Sequence, residues 1–170
     1  MLNSENKLLW SPSETQIKSS SMYNFMETIN KKYGMDLDDF EQLHLWSINN
    51  RDSFWSEVWN FYELIGEKGE GPYLIPENKI PGTKFFPRGK VSYAENILKK
   101  NDGETAIIFQ SEDKIFRKVS WRELNEQVAS MVGFFNSIGI KKGDRIAAYL
   151  PNIPETIIIM LATTAIGAIF

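Results

Sequence analysis

The chain has 170 residues, 42% of them hydrophobic and 24% charged, and this composition indicates a folded globular protein rather than a disordered one. Its formal net charge of -3 offers no basic surface to nucleic acid or to an anionic membrane, so neither is expected as a partner. Cysteine is absent and His44 is the only histidine, which excludes disulfides, thiolate metal sites and an imidazole cluster.

The amino-terminal residues carry no recognisable targeting signal. Residues 1–21 contain Glu5 and Glu14 and no apolar stretch of signal-peptide length, and a mitochondrial presequence would hold more arginine and less acid. The longest uncharged apolar stretch, residues 157–170, is shorter than the roughly 20 residues that cross a bilayer. We therefore predict a cytoplasmic protein, and we interpret residues 157–170 as a buried helix that runs into a strand.

Apolar residues at helical spacing predict two helices before residue 50. The first is expected to end at Gly34, and its apolar face holds Met22, Phe25, Met26, Ile29 and Tyr33. The second is expected to begin at Asp38, which forms an acidic capping pair with Glu41. One side of this second helix holds Phe40, Leu43, His44 and Ser47, with Trp46 beside them. Because His44 has no visible catalytic partner, we interpret it as a packed or surface residue rather than as a general base.

A third helix, capped by Asn50 or Asp52, is expected to have an almost wholly aromatic surface. One stripe consists of Phe54, Val58, Phe61 and Ile65, and a neighbouring stripe consists of Trp55, Trp59 and Tyr62. Such a face can stack on a nucleic-acid base or a flat cofactor, but aromatic stripes at helical spacing more often pack against other structure. We interpret both stripes as packing surfaces.

Residues 66–90 are expected to form a surface loop, because they contain five glycines and four prolines. Within them, residues 66–71 (GEKGEG) superficially resemble a phosphate-binding loop. However, Glu67 and Glu70 would repel a phosphate, and no strand precedes the glycines. We therefore reject a phosphate site in this loop.

The following residues predict a short helix and then a hairpin. Ser92 and Glu95 form a capping pair for a helix that ends before residue 101. Residues 105–109 and 115–119 are strand-like runs joined by a polar turn at 111–113. These two runs predict a β-hairpin.

A capping box at Ser120 and Glu123 predicts the start of a longer helix directly after the hairpin. The apolar face of that helix holds Leu124, Val128, Met131, Phe135 and Ile138. Gly139 follows as the residue best able to adopt a left-handed conformation, so the helix is expected to end there.

The last residues predict two buried strands with a helix between them. Residues 145–150 form an apolar run of strand length, Pro151 and Pro154 open the next helix, and residues 168–170 begin a further strand. Buried strands flanked by helices normally belong to a parallel sheet, which predicts an α/β fold. Because that sheet would be half built at Phe170, we expect the 170 residues to be the front part of a longer protein.

Several short blocks of this sequence follow a recognisable order. They are residues 121–124 (WREL), 139–146 (GIKKGDRI), 150–155 (LPNIPE) and 165–168 (AIGA). In order and spacing they resemble the amino-terminal subdomain of the adenylate-forming acyl-coenzyme A synthetases. Residues 85–96 (FFPRGKVSYAEN) resemble the entry segment shared by the acetyl and acetoacetyl branches of that family.

The upstream residues resemble the acetoacetyl-coenzyme A synthetases specifically, so that the resemblance covers nearly the whole chain. The blocks that carry it are residues 10–12 (WSP), Met22 with Phe25, residues 43–47 (LHLWS), and Phe54 and Trp55 with Trp59 and Phe61. Two positions depart from the family pattern, since Phe85 stands where tryptophan is usual and Ser92 where asparagine is usual. Phenylalanine still fills an apolar site, and serine caps a helix as well as asparagine does.

The resemblance implies an amino-terminal extension at residues 1–100, made of helices and loops, followed by the start of an AMP-binding (adenylation) domain at 101–170. It also implies a ligase that converts acetoacetate, ATP and coenzyme A into acetoacetyl-coenzyme A, AMP and diphosphate, through an acyl-adenylate and with Mg²⁺. In such enzymes the phosphate loop, the adenine pocket, the ribose-binding aspartate and the carboxy-terminal lysine would lie beyond Phe170. We therefore assign no catalytic, cofactor-binding or metal-ligating residue to this chain.

Two further expectations follow from the resemblance. The chain alone should be inactive and should not bind ATP, coenzyme A or Mg²⁺ tightly, because the remainder of the polypeptide is needed to complete the fold. Lys141, Lys142 and Arg145 could contact the phosphates of coenzyme A, but we interpret them as an ordinary solvated helix end. Two other function classes stay open: part of a ligase for another short acid such as acetate or propionate, and a noncatalytic binding protein that retains the fold.

Overall fold

The computed structural model describes residues 9–112 and 115–170, so the predicted turn at 111–113 lies partly outside the described residues. The chain divides into two compact units. One unit runs to Glu63 and also contains Glu70–Pro87, and the other consists of Leu64–Gly69 and Arg88–Phe170. Helices and strands are both present, as the α/β prediction requires.

The first unit is built mainly from four helices. They are α1 (Glu14–Lys18), α2 (Ser21–Tyr33), α3 (Phe40–Asn49) and α4 (Arg51–Phe61). Its buried core consists of Phe25, Met26, Ile29, Leu37, Leu43 and Trp46, with Tyr23, Phe54, Val58 and Phe61 packed against them. The apolar face predicted for the first helix is therefore the face that α2 buries, although Met22 and Tyr33 at its ends stay partly exposed.

The end of α2 is set by Gly34 and secured by Asn30. Gly34 adopts a left-handed φ of 64°, which an L-residue with a side chain adopts at a cost, so the predicted stop is confirmed. Asn30 donates from Nδ2 to the Leu37 carbonyl oxygen at 2.8 Å and accepts from the Leu37 amide at 2.9 Å. This pair of bonds folds the following turn back onto α2.

The predicted start of the second helix at Asp38 was wrong by one residue. Asp39 is the N-cap of α3, and its Oδ1 accepts from the Gln42 amide at 2.8 Å. Asp38 instead accepts from Gln42 Nε2 at 2.5 Å. Gln42 bonds to both aspartates, because its side chain reaches Asp38 and its backbone amide reaches Asp39. The cap is therefore Asp39, three residues before Gln42, and not Asp38, three residues before Glu41.

The third helix also differs from the prediction at both ends. Asn50 occupies the N-cap position of α4 but makes no capping bond, because its Nδ2 donates to the Trp46 carbonyl oxygen at 3.0 Å. Asp52 Oδ1 accepts from the amides of Tyr73 at 2.5 Å and Leu74 at 2.9 Å, so it anchors a loop rather than a helix. The helix ends at Phe61, and placing Ile65 on its stripe was therefore wrong.

The predicted loop at 66–90 contains two short antiparallel ladders. In the second unit, β1 (Gly66–Glu67) pairs with β4 (Lys90–Val91). In the first unit, β2 (Leu74–Ile75) pairs with β3 (Lys84–Phe85). Each ladder has only two residues per strand, so these residues remain a loop that is fixed at two points.

The second unit contains the hairpin and α6, which is the longest helix among the described residues. Its elements are α5 (Tyr93–Ile97), β5 (Thr105–Gln110), β6 (Phe116–Ser120), α6 (Trp121–Ser137) and α7 (Pro154–Ala165). Its buried core consists of Ala94, Val119, Leu124, Val128, Phe135, Ile158, Leu161 and Ala162. The hairpin prediction is confirmed, since β5 and β6 pair antiparallel.

The boundaries of α6 agree with the sequence analysis. The Ser120 amide donates to Glu123 Oε2 at 2.7 Å, and the Glu123 amide donates to Ser120 Oγ at 3.2 Å, which completes the predicted capping box. Gly139 adopts a φ of 84° just after the helix, as expected of a left-handed stop. Of the predicted apolar face, Ile138 remains exposed.

The prediction of a strand at 145–150 was wrong for the described residues. The only pairing there is a parallel bridge between Arg145 and Ile169, with the Ile146 amide donating to the Ile169 carbonyl oxygen at 2.9 Å. A strand requires a neighbour along its length, and the described residues provide one at this single point. The parallel direction nevertheless agrees with the predicted strand–helix–strand order around α7.

Candidate functional site

An open cavity with an aromatic lining lies in the first unit. Its volume is about 390 Å³, and its walls come from α2, α3, α4 and the residue after α4. The aromatic lining residues are Phe25, Phe40, Phe54, Trp55 and Tyr62, and Ser21, His44 and Ser47 are the polar ones. We refer to this space as the aromatic cavity. The row predicted along one side of the second helix, from Phe40 to Ser47, forms one of its walls.

His44 lies at the aromatic cavity but has no catalytic environment. Its ring stacks on Phe40, with centroids 5.9 Å apart and planes 9° apart. The side chain is exposed, and no carboxylate bonds to the imidazole within the described residues. The geometry therefore shows a surface histidine on an apolar wall, as the sequence indicated.

Glu57 is a buried carboxylate that the sequence analysis did not single out. Only 4% of the residue is exposed, and its oxygens accept from Lys32 Nζ at 2.8 Å, Tyr33 Oη at 3.0 Å and Asn60 Nδ2 at 3.4 Å. Burial acts to raise the pKa of Glu57, but these donors outweigh it and lower the pKa below its ordinary value. The hydrogen bond to Glu57 likewise raises the pKa of Lys32. We call these four residues the Glu57 cluster.

The Glu57 cluster joins α2 to α4 and leaves the carboxylate no free side for a substrate. Its only signal in the sequence is a glutamate between Trp55 and Trp59 on an aromatic helix. Nothing in the sequence pairs that glutamate with Lys32, which lies on another helix. Its structural role is to hold two helices together through a desolvated charge.

The three basic residues near 141–145 lie at an exposed turn. Lys141, Lys142 and Arg145 are all exposed. The Lys141 amide donates to Asp144 Oδ2 at 2.7 Å, which is turn chemistry. Lys142 covers Gly167, where an added Cβ would lie 3.1 Å from Lys142 Cγ.

The glycine-rich residues 66–71 do not have the geometry of a phosphate-binding loop. An added Cβ at Gly66 would collide with the Lys90 carbonyl oxygen, and one at Gly69 would lie 2.8 Å from the Arg88 carbonyl oxygen. The glycines therefore permit the close approach of the returning chain. Glu67 pairs with Lys90 at 2.9 Å, and no helix begins in this loop to offer its amides to an anion.

Glu155, in the LPNIPE block, has a structural partner. Its Oε1 accepts from Arg117 Nη1 at 2.8 Å, which ties the first turn of α7 to β6. This hydrogen bond is the main cause that lowers the pKa of Glu155. Across residues 9–112 and 115–170, no three histidine or acidic side chains lie close enough together to hold a metal ion.

Comparisons with known proteins agree with one another on the family. A family model described as AMP-binding enzyme matches residues 94–170. The acetoacetyl-coenzyme A synthetase of Rhizobium meliloti (strain 1021) is 37% identical over 95% of the chain, which corresponds to 25% of that protein. The chain is homologous to the amino-terminal part of acetoacetyl-CoA synthetases.

One solved structure and one further relative show the same similarity. The acetoacetyl-CoA synthetase from Streptomyces lividans superimposes with a TM-score of 0.80 at 29% identity, over 95% of this chain and 26% of that one. A malonamoyl-CoA synthetase of Penicillium aethiopicum is 31% identical over 96% of the chain and 23% of its own length. The chain thus spans about a quarter of the length of the acetoacetyl-CoA synthetases it matches.

The homology confirms the resemblance drawn from the sequence blocks, and the agreement in fold extends over both units. The departures at Phe85 and Ser92 are accommodated. Phe85 packs edge-on against Trp55, with ring centroids 4.9 Å apart, while half of it stays exposed. Ser92 Oγ accepts from the Glu95 amide at 3.3 Å and caps α5. Among the described residues, no helix has both the length and the apolar character to cross a membrane.

Proposed function

We propose that this chain is the amino-terminal part of an ATP-dependent acetoacetate–CoA ligase, which joins acetoacetate to coenzyme A and releases AMP and diphosphate. The observation that carries the proposal is the similarity to the Rhizobium protein along nearly the whole chain. The similarity includes the upstream helices and not only the AMP-binding segment. The structural match to the Streptomyces enzyme supports the same assignment.

The chemistry of such a ligase needs groups that these residues do not provide. A carboxylate becomes a good electrophile only when one of its oxygens is converted into a leaving group, which requires cations and hydrogen-bond donors around the triphosphate. Among the described residues, no three histidine or acidic side chains lie close enough together to hold a metal ion. We propose that the residues binding ATP, Mg²⁺ and coenzyme A belong to other parts of a longer protein.

In this proposal the chain has a scaffolding role. Residues 1–100 form an extension and residues 101–170 begin the adenylation domain. Support for this role comes from the structural environment of the shared blocks, since the capping box at Ser120, the Arg117–Glu155 pair and the left-handed Gly139 all fix secondary-structure elements. We further propose a cytoplasmic ligase that acts in lipid and ketone-body metabolism.

A ligase for a different short acid is the second candidate. The Penicillium relative is named for malonamoyl-CoA, yet over this segment its identity to the chain is similar to that of several acetoacetyl-CoA synthetases. The segment therefore does not distinguish the acid. If the acid-binding residues lie elsewhere, the choice between acetoacetate and another acid has to be measured.

The test is an assay of acyl-CoA formation by the longer protein that contains these residues. Acetoacetate, malonamate, acetate, propionate and butyrate are compared side by side with ATP, Mg²⁺ and coenzyme A. We expect the largest kcat/KM with acetoacetate. Equal or better turnover of another acid would move the assignment to that acid, and no ATP–diphosphate exchange with any acid would favour the noncatalytic alternative.

A further inference from the structure

The first unit contains two apolar surfaces that lack partners, and they lie on connected elements. One is the aromatic cavity. The other is the segment that ends in α1: Leu9 is 92% exposed, Trp10 is 70% exposed and Ile17 is 45% exposed. No residue of α1 itself is buried. We call residues 9–18 the amino-terminal strap.

Such exposure is unusual for a tryptophan, because burial of the indole would remove a large apolar area from water. A helix of five residues that buries nothing is also marginal, since isolated short helices are unstable in water. The capping box at Ser13, in which Ser13 and Gln16 bond to each other, defines the helix but does not attach it to a core. The strap therefore has the low local stability of a segment that can change its position.

We propose that Trp10 docks into the aromatic cavity, so that the strap closes over the α2–α3–α4 face of the first unit. The connection supports this occupant. Met22 lines the cavity, and the contour of the chain from Trp10 to Met22 is about 30 Å while α1 stays helical and about 40 Å when fully extended. A tether of this length keeps the indole at a high effective concentration near the opening.

The chemistry of the cavity suits an indole better than an aliphatic side chain. Five aromatic residues in the lining offer edges and faces for ring packing. A buried indole also needs an acceptor for its N–H. Ser47 Oγ donates its hydrogen to the His44 carbonyl oxygen at 2.7 Å, which leaves the lone pairs of that hydroxyl available at the cavity.

This inference concerns the first unit alone and does not depend on the proposed ligase activity. A docked Trp10 would cover apolar surface that otherwise faces solvent. The alternative occupants are another part of a longer chain and a small apolar molecule. The experiments below distinguish both of them from Trp10.

The first experiment is a disulfide trap in the full-length protein. The 170 residues contain no cysteine, so engineered thiols are the only ones in this region. We expect the double variant Ser11→Cys/Ser47→Cys, which keeps the Trp10 indole, to form the bond on mild oxidation, identified by mass spectrometry of the joined peptides. Docking brings the residue next to Trp10 to the cavity, and a disulfide needs Cα atoms within about 7 Å. The matched control is Ser11→Cys/Asn49→Cys.

Asn49 lies two residues further along α3, is more exposed than Ser47 and lines a different depression. Random collision therefore favours the control pair, whereas docking favours the pair with position 47. A several-fold higher yield for the pair with position 47 supports the proposal. Equal yields, or a higher yield for the control, overturn it.

The second experiment avoids the geometric demands of a disulfide and varies the indole itself. The thiol of Ser47→Cys is labelled with a maleimide in the presence of Trp10 and in a Trp10→Ala background, and Trp10→Phe is included as a partial replacement. We expect labelling to be several-fold faster with alanine and intermediate with phenylalanine, while a thiol from Asn49→Cys is unaffected. Equal rates in all backgrounds overturn the proposal, and uniformly slow rates show that another occupant covers the cavity.

Discussion

Glu57 shows what a single buried carboxylate requires in this structure. The residue is desolvated, and three donors from two helices surround it. Replacing the carboxylate by a glutamine amide removes the counter-charge of Lys32 and puts an NH2 donor where an oxygen now accepts a hydrogen bond, and the cost of such unmatched groups exceeds the net value of the bonds themselves. Because half of the Lys32 side chain is exposed, water compensates for part of this loss.

We expect Glu57→Gln to lower the free energy of unfolding by about 1–3 kcal/mol, measured by denaturant titration. The matched control is Glu14→Gln, since Glu14 also pairs with a lysine but is 80% exposed. The control should change stability by less than about 0.5 kcal/mol. Equal effects at the two positions would show that burial of Glu57 has no energetic weight.

The pH dependence of this difference has a defined sign. Burial acts to raise the pKa of Glu57, but the bonds from Lys32, Tyr33 and Asn60 lower it below the ordinary 4.5. The folded state therefore binds fewer protons than the unfolded state, so the stabilisation is complete above pH 4.5 and is lost as the pH falls through the folded pKa. We expect the gap between the native protein and Glu57→Gln to be constant near neutral pH and to shrink under acid conditions. A gap that widens on acidification would contradict this assignment.

The capping box at Ser120 gives a second test at the scale of one residue. Ser120→Ala should destabilise the protein by about 1 kcal/mol through loss of the cap, and substrate affinity of the longer ligase should stay unchanged. Ser137→Ala, at the opposite end of α6, removes a hydroxyl that only donates to the Phe134 carbonyl oxygen and should cost less. A selective rise in the KM for ATP without loss of stability would show that Ser120 has a role at the active site.

At the scale of elements, the two neighbouring aspartates at the start of α3 have different structural roles. Asp39→Ala should cost about 1 kcal/mol of stability, because it removes the acceptor of the Gln42 amide. Asp38→Ala removes only a side-chain contact with Gln42 and should cost a few tenths of that. Urea denaturation of the two variants measures the difference. A larger effect at Asp38 would restore the helix start expected from the sequence.

Local sequence patterns correctly predicted the structural features that depend only on neighbouring residues. The stop at Gly34, the cap at Ser120 and the hairpin each depend on a few consecutive residues, and each was predicted correctly. The residues that the sequence did not reveal act across the chain: Glu57 bonds to Lys32 on another helix, and Asn30 bonds to a backbone seven residues away. The expected strand at 145–150 failed for the same reason, since pairing depends on a neighbour and not on the strand's own residues.

At the scale of the whole molecule, the second unit exposes apolar side chains beside the bridge between Arg145 and Ile169. Tyr149 is fully exposed, and Ile169 and Phe170 are about half exposed. A depression nearby is lined by Met131, Phe135, Ile146 and Ile159 among others. Large exposed apolar patches on a soluble domain usually mark surfaces that bind other structure.

We expect the 170-residue chain alone to bind the dye ANS more strongly than the longer protein does, because the apolar surface near Tyr149 stays open. The same chain should show no acetoacetate-dependent exchange of diphosphate into ATP, whereas the longer protein should. Fluorescence titration and isotope exchange measure the two properties separately. Clear exchange by the short chain would place the active site within these residues.

Asp52 accepts hydrogen bonds from two backbone amides, and this arrangement also constrains the order in which the first unit can form. Its carboxylate is presented by the first turn of α4, and it accepts from two consecutive amides, that of Tyr73 just before β2 and that of Leu74 at its start. The segment Glu70–Pro87 therefore cannot be fixed at this point until α4 has folded, whereas α4 needs nothing from that segment for its own backbone bonds. Hydrogen exchange at the amides of Tyr73 and Leu74 should consequently report on the opening of a helix to which neither residue belongs.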